Sequence, residues 1–183
     1  MKNYLLSLVI LSVSCNDNKK AAEQPVKNNI LMETTSKMQF TRDELVARLV
    51  KAGELEVSGE NQAEADTYFD SKNFKFHGPG GFEADYAGLT NYFISIREAF
   101  DNRSIKRGKI IVEGNYVSCQ TWIKGTFVRN FTQSPVGVLK PNGKVIVFDL
   151  INIFRFDDQG RLVEEWVQID NRSLLQQLES NGA

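Results

Sequence analysis

The segment Arg161–Asp170 carries the side chains best suited to chemistry in this chain. If it is a β-strand, alternation places Glu164, Trp166, Gln168 and Asp170 on one face. The other face would carry Val163, Glu165, Val167 and Ile169. The first face suits a wet cleft, in which a carboxylate can act as a proton shuttle once an apolar surrounding raises its pKa. The aliphatic face suits a core, and we expect Glu164 and Glu165 to face solvent or the cleft rim.

Other residues are candidates for the wall of such a cleft. Trp122 and Trp166 each read as part core and part pocket wall. Asn152 lies in an apolar strand and needs partners if buried, so it is either a structural bridge or a ligand contact. Gln168 shares the face of Trp166 and joins the candidate ligand-binding residues. Cys119 reads as a small apolar core residue within a strand rather than as a nucleophile.

The order of elements predicts an α+β fold. Thr41 to Glu44 has the form of a capping box before a first helix, which Gly53 would end. A second helix is predicted over 60–70 and a third over 86–101, with a short strand at 73–77 between them. Strands are predicted over 105–113, 116–131, 145–156 and 161–170, and a short helix over 172–178 closes the chain. A long, curved antiparallel sheet packed on three N-terminal helices would form a cone, with an apolar pocket at its open end.

The first 15 residues predict export. Met1 to Asn3 forms a short basic region, and residues 4–11 form an apolar run too short to span a membrane. Residues 12–15, Ser-Val-Ser-Cys, resemble a bacterial lipobox, with Cys15 as the lipidation site. An ordinary signal-peptidase site is the alternative, because Ser12 and Ser14 satisfy a small-x-small cleavage rule.

Composition and charge limit the domain organisation and the possible partners of the remainder of the chain. Residues 16–38 are polar and read as a flexible tether, which leaves 39–183 as one domain. The formal net charge of −1, without a basic stripe, argues against nucleic acid as a partner. If Cys15 is lipidated, Cys119 has no partner for a disulfide, so the domain depends on its core.

Several motifs of this domain resemble those of the SnoaL-like, polyketide-cyclase-like branch of the nuclear transport factor 2 superfamily. The motifs, in chain order, are FKFHGPGG, YAGLTNYFISIREAFDN, IIVEGNYVSCQTWIKGTF, VGVLKPNGKVIV and INIFRFDDQGRLVEEW. Each is weak alone, but their order and spacing extend over more than a hundred residues. The resemblance implies the same cone-shaped α+β fold.

The resemblance also implies a chemistry. Enzymes of this family close a polyketide ring by intramolecular aldol addition without a cofactor, which needs a base and an acid. Asp170 matches the place of the family's carboxylate near the end of the last strand, and His77 lies where the first strand would meet the cavity mouth. The bland alternatives are that Asp170 caps the last helix or pairs with Arg172 and that His77 is a hydrogen-bonded turn residue. Where many relatives have Gly-Thr-His, this chain has Phe127 in place of the His, which removes a polar group.

Two functions follow as expectations. The first is an exported, lipid-anchored protein of the bacterial envelope that binds a small apolar or semi-polar molecule, with cofactor-free cyclase- or isomerase-like chemistry. The second is a non-catalytic envelope lipoprotein that uses the domain for dimerisation or partner binding. We expect a homodimer through the sheet face that the helices leave uncovered. Two facing carboxylates, or an Asp-Arg-Asp set in the cavity, would favour the enzyme.

Overall fold

The computed structural model describes residues 40–179. The predicted signal, Cys15 and the whole of the predicted tether lie outside these residues. The elements, in chain order, are α1 (Arg42–Ser58), α2 (Gln62–Asp66), β1 (Lys75–His77), β2 (Glu83–Ala84), α3 (Tyr86–Ala99), β3 (Phe100–Glu113), β4 (Tyr116–Phe127), β5 (Phe131–Ser134), β6 (Gly137–Leu139), β7 (Val145–Phe156), β8 (Leu162–Ile169) and α4 (Asn171–Leu178). A single 3₁₀ turn, Pro79–Gly81, joins β1 to β2.

The predicted α+β architecture is confirmed. Six strands form one sheet in the order β2-β1-β8-β7-β4-β3, and β5 and β6 form a separate two-stranded sheet. The neighbours from β8 to β3 are antiparallel, as predicted, whereas β1 pairs with β8 in parallel. Strand β3 carries two register shifts, at Asp101/Ser104 and at Arg107/Ile110. Such bulges increase strand twist and bend the sheet around the helices.

Several predicted boundaries are wrong: α2 is shorter than the predicted 60–70, and β3 begins at Phe100 rather than at 105. Two further differences have identifiable reasons. Helix α1 continues past Gly53, which is buried inside it, and ends at Gly59, whose φ of 73° suits a left-handed C-cap. The predicted strand 116–131 stops at Phe127, and Phe131 opens the small β5–β6 sheet instead. The capping box at Thr41 is present, since its backbone N–H donates to Glu44 Oε2 at 2.7 Å.

One face of the main sheet packs on helices and the other does not. Cys119 and Thr121 are buried on the inner face, whereas Gln120 and Trp122 point to the outer face. The inner face carries two hydrophobic clusters, one centred on α1 and one centred on the ends of α3 and α4. Phe93 of α3 packs against both clusters, as the predicted layer order requires. In the described part of the chain, no helix has the length and apolar character that crossing a membrane demands.

Candidate active site

A cavity of about 670 Å³ lies between the inner face of the sheet and helices α1 and α3. Its walls are mainly apolar and include Leu49 and Phe93 from the helices and Phe148 and Phe154 from β7. Residues of both hydrophobic clusters line it, so the cavity occupies the space between the two halves of the core. A cavity of this size and character suits a small, largely apolar ligand.

Polar side chains interrupt the apolar surface of the cavity wall, among them Thr132, Gln133, Ser134 and Asn171. Five further polar side chains form one cluster: Glu56 of α1, Arg107 of β3, Thr121 of β4, Asn152 of β7 and Glu165 of β8. Strand register explains why four of these five side chains lie together. Arg107 lies opposite Thr121, and Asn152 and Glu165 fall on the same face of the neighbouring strands β7 and β8. Glu56 is one further turn along the face of α1 that carries Leu49 and Ala52, so it points at the same strands.

Glu165 is the central ionisable group of this cluster. Glu165 is only 8% exposed, and its Oε1 accepts a hydrogen bond from Asn152 Nδ2 at 2.8 Å. Burial raises the pKa of Glu165 to about 7, although Arg107 and the bond from Asn152 oppose the rise. A carboxyl group with such a pKa exchanges its proton readily at neutral pH, which is what a general acid or base requires.

Glu56 provides a second carboxyl group with a raised pKa. Burial raises the pKa of Glu56 well above its usual value, and the nearby charge of Glu165 raises it further. The positive charges of Arg107 and Arg97 offset this only in part. Burial therefore favours the protonated form of Glu56, in which the carboxyl group can donate a proton.

Arg107 brings the positive charge of the cluster. Its Nη1 donates to Thr121 Oγ1 at 2.6 Å, and its guanidinium carbon lies 5.2 Å from the centre of the Phe154 ring. The second register shift of β3 follows Arg107 immediately, and a bulge of this kind re-aims the adjoining side chain. Gly53 makes the necessary room, because a Cβ there would lie 2.6 Å from Arg107 Nη2.

Among the predicted site residues, Asn152 lies in this cluster. It is 2% exposed, and it bonds Glu165 while its Oδ1 has no hydrogen-bond partner. The expectation that Glu165 faces solvent or a rim is wrong. The cavity lies on the aliphatic face of β8, because the helices that enclose it pack on that face.

Asp170 occupies a different place. It is the N-cap of α4, and its Oδ1 accepts from the backbone N–H groups of Arg172 at 3.0 Å and Ser173 at 3.1 Å. It borders a small depression of about 180 Å³ beside β7 and α4 rather than the large cavity. These contacts are those of a helix cap, and the catalytic role of Asp170 stays a prediction.

The other predicted residues lie on the outer face of the sheet. His77 Nε2 lies 2.9 Å from Glu164 Oε1, and its ring stacks on Trp166 with 5.2 Å between centroids. Burial raises the pKa of Glu164, but hydrogen bonds from Arg155 and His77 outweigh this effect and hold the pKa below its usual value. Trp122 and Gln168 share this outer face and are not among the residues that line the large cavity. The site roles predicted for these residues remain untested.

Sequence reasoning missed Glu56, Arg107, Thr121 and Glu165 as members of one site. A signal was available, since Glu165 interrupts the aliphatic face formed by Val163 and Val167. An ionisable residue on an otherwise apolar face needs a local reason, such as a buried partner or a cavity. In the part of the chain that the structure describes, no cluster of His, Cys, Asp or Glu is arranged to hold a metal ion.

The chain matches the SnoaL-like polyketide cyclase family over residues 55–178, and it belongs to that family. Comparison with curated protein sequences yields no match. Solved structures share the fold. TsrD from Streptomyces laurentii matches with a TM-score of 0.63 and 18% identity, over 77% of this chain and 98% of that one. IdmH from Streptomyces antibioticus matches with a TM-score of 0.59 and 22% identity, over 74% and 98%. SalBIII, an epoxide hydrolase/cyclase-like enzyme, matches with a TM-score of 0.56 and 17% identity, over 72% of this chain and 94% of that one. At these identities the likeness establishes the fold alone.

Proposed function

We propose that this protein is a cofactor-free acid/base enzyme with cyclase- or isomerase-like activity on a small apolar or semi-polar carbonyl compound. The observation that carries the proposal is the Glu165 carboxyl group, with a pKa of about 7, in the wall of a mainly apolar cavity. The cavity wall also holds the carboxyl groups of Glu56 and Glu165 with Arg107 beside them, and this Glu-Arg-Glu set supports an enzyme as the expected Asp-Arg-Asp set would have done.

The cluster supplies each group that such a reaction needs. Ionised Glu165 takes a proton from a carbon next to the substrate carbonyl, and the electron pair moves onto the carbonyl oxygen as an enolate. Arg107 stabilises the negative charge that develops on this oxygen. In ring closure the enolate carbon then attacks a second carbonyl carbon, and the alkoxide formed takes a proton from Glu56. The proton on Glu165 returns to Glu56 through solvent, so no net charge or electron is consumed.

The comparisons support this type of reaction. The family is described as SnoaL-like polyketide cyclases. The role described for SalBIII is in pyran ring formation in the polyether salinomycin. Both descriptions concern ring formation, which is the reaction class that acid/base groups in an apolar cavity can catalyse.

A test need not identify the natural substrate. In deuterated buffer, the protein should accelerate exchange of the hydrogens next to the carbonyl of a small cyclic ketone, followed by proton NMR. Glu165→Gln should lose at least about a hundredfold of the acceleration, since a positioned base contributes roughly 10²–10⁴-fold. Glu164→Gln, on the outer face of the same strand, is the matched control and should exchange like the wild type. Equal exchange by Glu165→Gln and wild type would remove Glu165 as the base.

The competing function is a non-catalytic envelope protein that dimerises or binds a partner. One observation favours it, namely the exposed apolar side chains on the outer sheet face: Ile111, Tyr116, Val145, Ile151 and Ile153. We assign this face to a second copy of the chain. On this face Arg155 and Glu164 form an ion pair within one copy, so the pair adds no net charge that would repel the same face of a second copy. A dimer through this face leaves the inner cavity open, so the proposal is compatible with the enzyme as well.

The proposed location is the bacterial envelope, with lipid on Cys15 as the anchor. The support is the sequence alone, a short apolar run followed by a lipobox-like Cys. Expression in a bacterial host with fractionation should place the wild type in the membrane fraction, and Cys15→Ala should block its processing or release it. A mature protein with an unmodified Cys15 would contradict the anchor.

A further inference from the structure

The guanidinium of Arg107 is incompletely paired. Its hydrogen bonds to residues 40–179 all use Nη1, which donates to Thr121 Oγ1 at 2.6 Å and lies 3.8 Å from Cys119 Sγ. Its Nε is buried without a partner. No ion pair joins Arg107 to a carboxylate of the described residues, whereas Arg129, Arg155 and Arg161 each have at least one. A cation in a poorly hydrated wall is costly unless an anion pairs with it.

Neither neighbouring carboxyl group forms an ion pair with Arg107 within the described residues. Burial outweighs the attraction of Arg107 for both Glu56 and Glu165, so the pKa of each is raised rather than lowered. Asn152 cannot supply an anion either, since an amide is neutral. The guanidinium is therefore left available to an anion bound in the cavity.

We infer that the cavity binds an apolar molecule that bears a single oxyanion, either a carboxylate or the enolate of a 1,3-dicarbonyl compound, paired with Arg107. The rest of the molecule lies against the aromatic and aliphatic walls. Two side-chain carboxyl groups beside the oxyanion favour this arrangement while they are protonated, since each can then donate a hydrogen bond to it. The inference rests on the proposed function, because the same guanidinium stabilises the oxyanion formed in that reaction.

Calorimetry with two pairs of probes tests the inference without any turnover. At pH 6 the protein should bind decanoate at least about tenfold more tightly than decanol, which has the same chain without the charge. An apolar-substituted cyclic 1,3-dione, which ionises to an enolate, should show the same preference over the corresponding cyclic ketone. A preference in the first pair alone assigns the carboxylate, and a preference in the second pair alone assigns the enolate.

Variants locate the charge that is responsible. Arg107→Gln should remove the preference for the anion, a loss of about ten- to hundredfold in affinity, while leaving decanol binding unchanged. Arg107→Lys, which keeps the charge, should retain part of the preference and serves if the Gln variant does not fold. Arg155→Gln, on the outer face, is the control and should bind like the wild type.

The inference is overturned if decanol and the ketone bind as tightly as their anionic counterparts, or if a folded Arg107→Gln keeps the preference. This outcome differs from failure of the proposed function, which is the absence of carbon–hydrogen exchange or its persistence in Glu165→Gln. A protein that prefers anions but exchanges no hydrogens would be a binding protein for apolar anions.

Discussion

At the scale of single residues, burial of carboxyl groups links the site to stability. Glu165 has a folded-state pKa of about 7 against an ordinary value of 4.5, so the folded protein holds this proton more tightly than the unfolded chain. The contribution of this group to the free energy of unfolding is therefore fully present below pH 4.5 and is lost as the pH rises from 4.5 through 7. The total loss is on the order of 3 kcal/mol. Glu56 contributes a trend of the same sign.

Glu165→Gln should make the protein more stable than the wild type at pH 8 and weaken the dependence of stability on pH between 5 and 8. The neutral amide keeps the volume and avoids the cost of a buried charge. Urea unfolding at several pH values measures both effects. Glu164→Gln is the control, since its lowered pKa keeps it ionised throughout this range. An unchanged pH slope in Glu165→Gln would mean that Glu165 is ionised in the folded protein at little cost.

Gly53→Ala should weaken binding of decanoate several-fold without unfolding the protein. The new Cβ would lie 2.6 Å from Arg107 Nη2, so the guanidinium must move from its place beside Thr121. Alanine is favoured over glycine within a helix by about 1 kcal/mol, which offsets the strain on folding. Calorimetry and thermal unfolding separate the two effects. Unaltered affinity would show that the position of Arg107 tolerates the extra methyl group.

At the scale of secondary structure, Asp170 is the residue whose role the contacts define best. Asp170→Ala should reduce the free energy of unfolding by about 1 kcal/mol, because two backbone N–H groups of α4 lose their acceptor. Asp170→Asn should be close to neutral, since Asn caps helices equally well. Both variants should keep wild-type ligand affinity. Loss of carbon–hydrogen exchange in a stable Asp170→Asn protein would restore Asp170 as the acid/base group.

Sequence patterns predicted the elements well and the location of the cavity poorly. The bounds of β7 were predicted in full, because its apolar alternation is flanked by turn-forming residues on both sides. Strand alternation correctly separated Glu165 from Glu164 and Trp166 on β8. It could not show which face the helices would cover, since that depends on packing between distant segments. The same limit hid Gly53, whose place inside α1 reflects the need for space around Arg107, which is far away in sequence.

At the scale of the whole molecule, the uncovered sheet face determines the expected assembly. Light scattering at high micromolar concentration should give the mass of a dimer, and Ile151→Lys with Ile153→Lys should give a monomer. These side chains are 47% and 41% exposed, and paired lysines would bring like charges together across a two-fold axis. Ile94→Lys, on α3 and 39% exposed, is the matched control. A monomeric wild type would remove this face as a dimer surface.

The role of Glu165 as a buried acid/base group in the cavity depends on its ionisation in the folded protein. Site-specific ¹³C NMR of its side-chain carboxyl carbon, assigned by comparison with Glu165→Gln, measures its ionisation directly between pH 3 and 9. We predict a titration midpoint near pH 7, because burial raises the pKa of Glu165 to about 7. A midpoint at or below the ordinary value of 4.5 would contradict this role and remove the basis for acid/base chemistry at this residue.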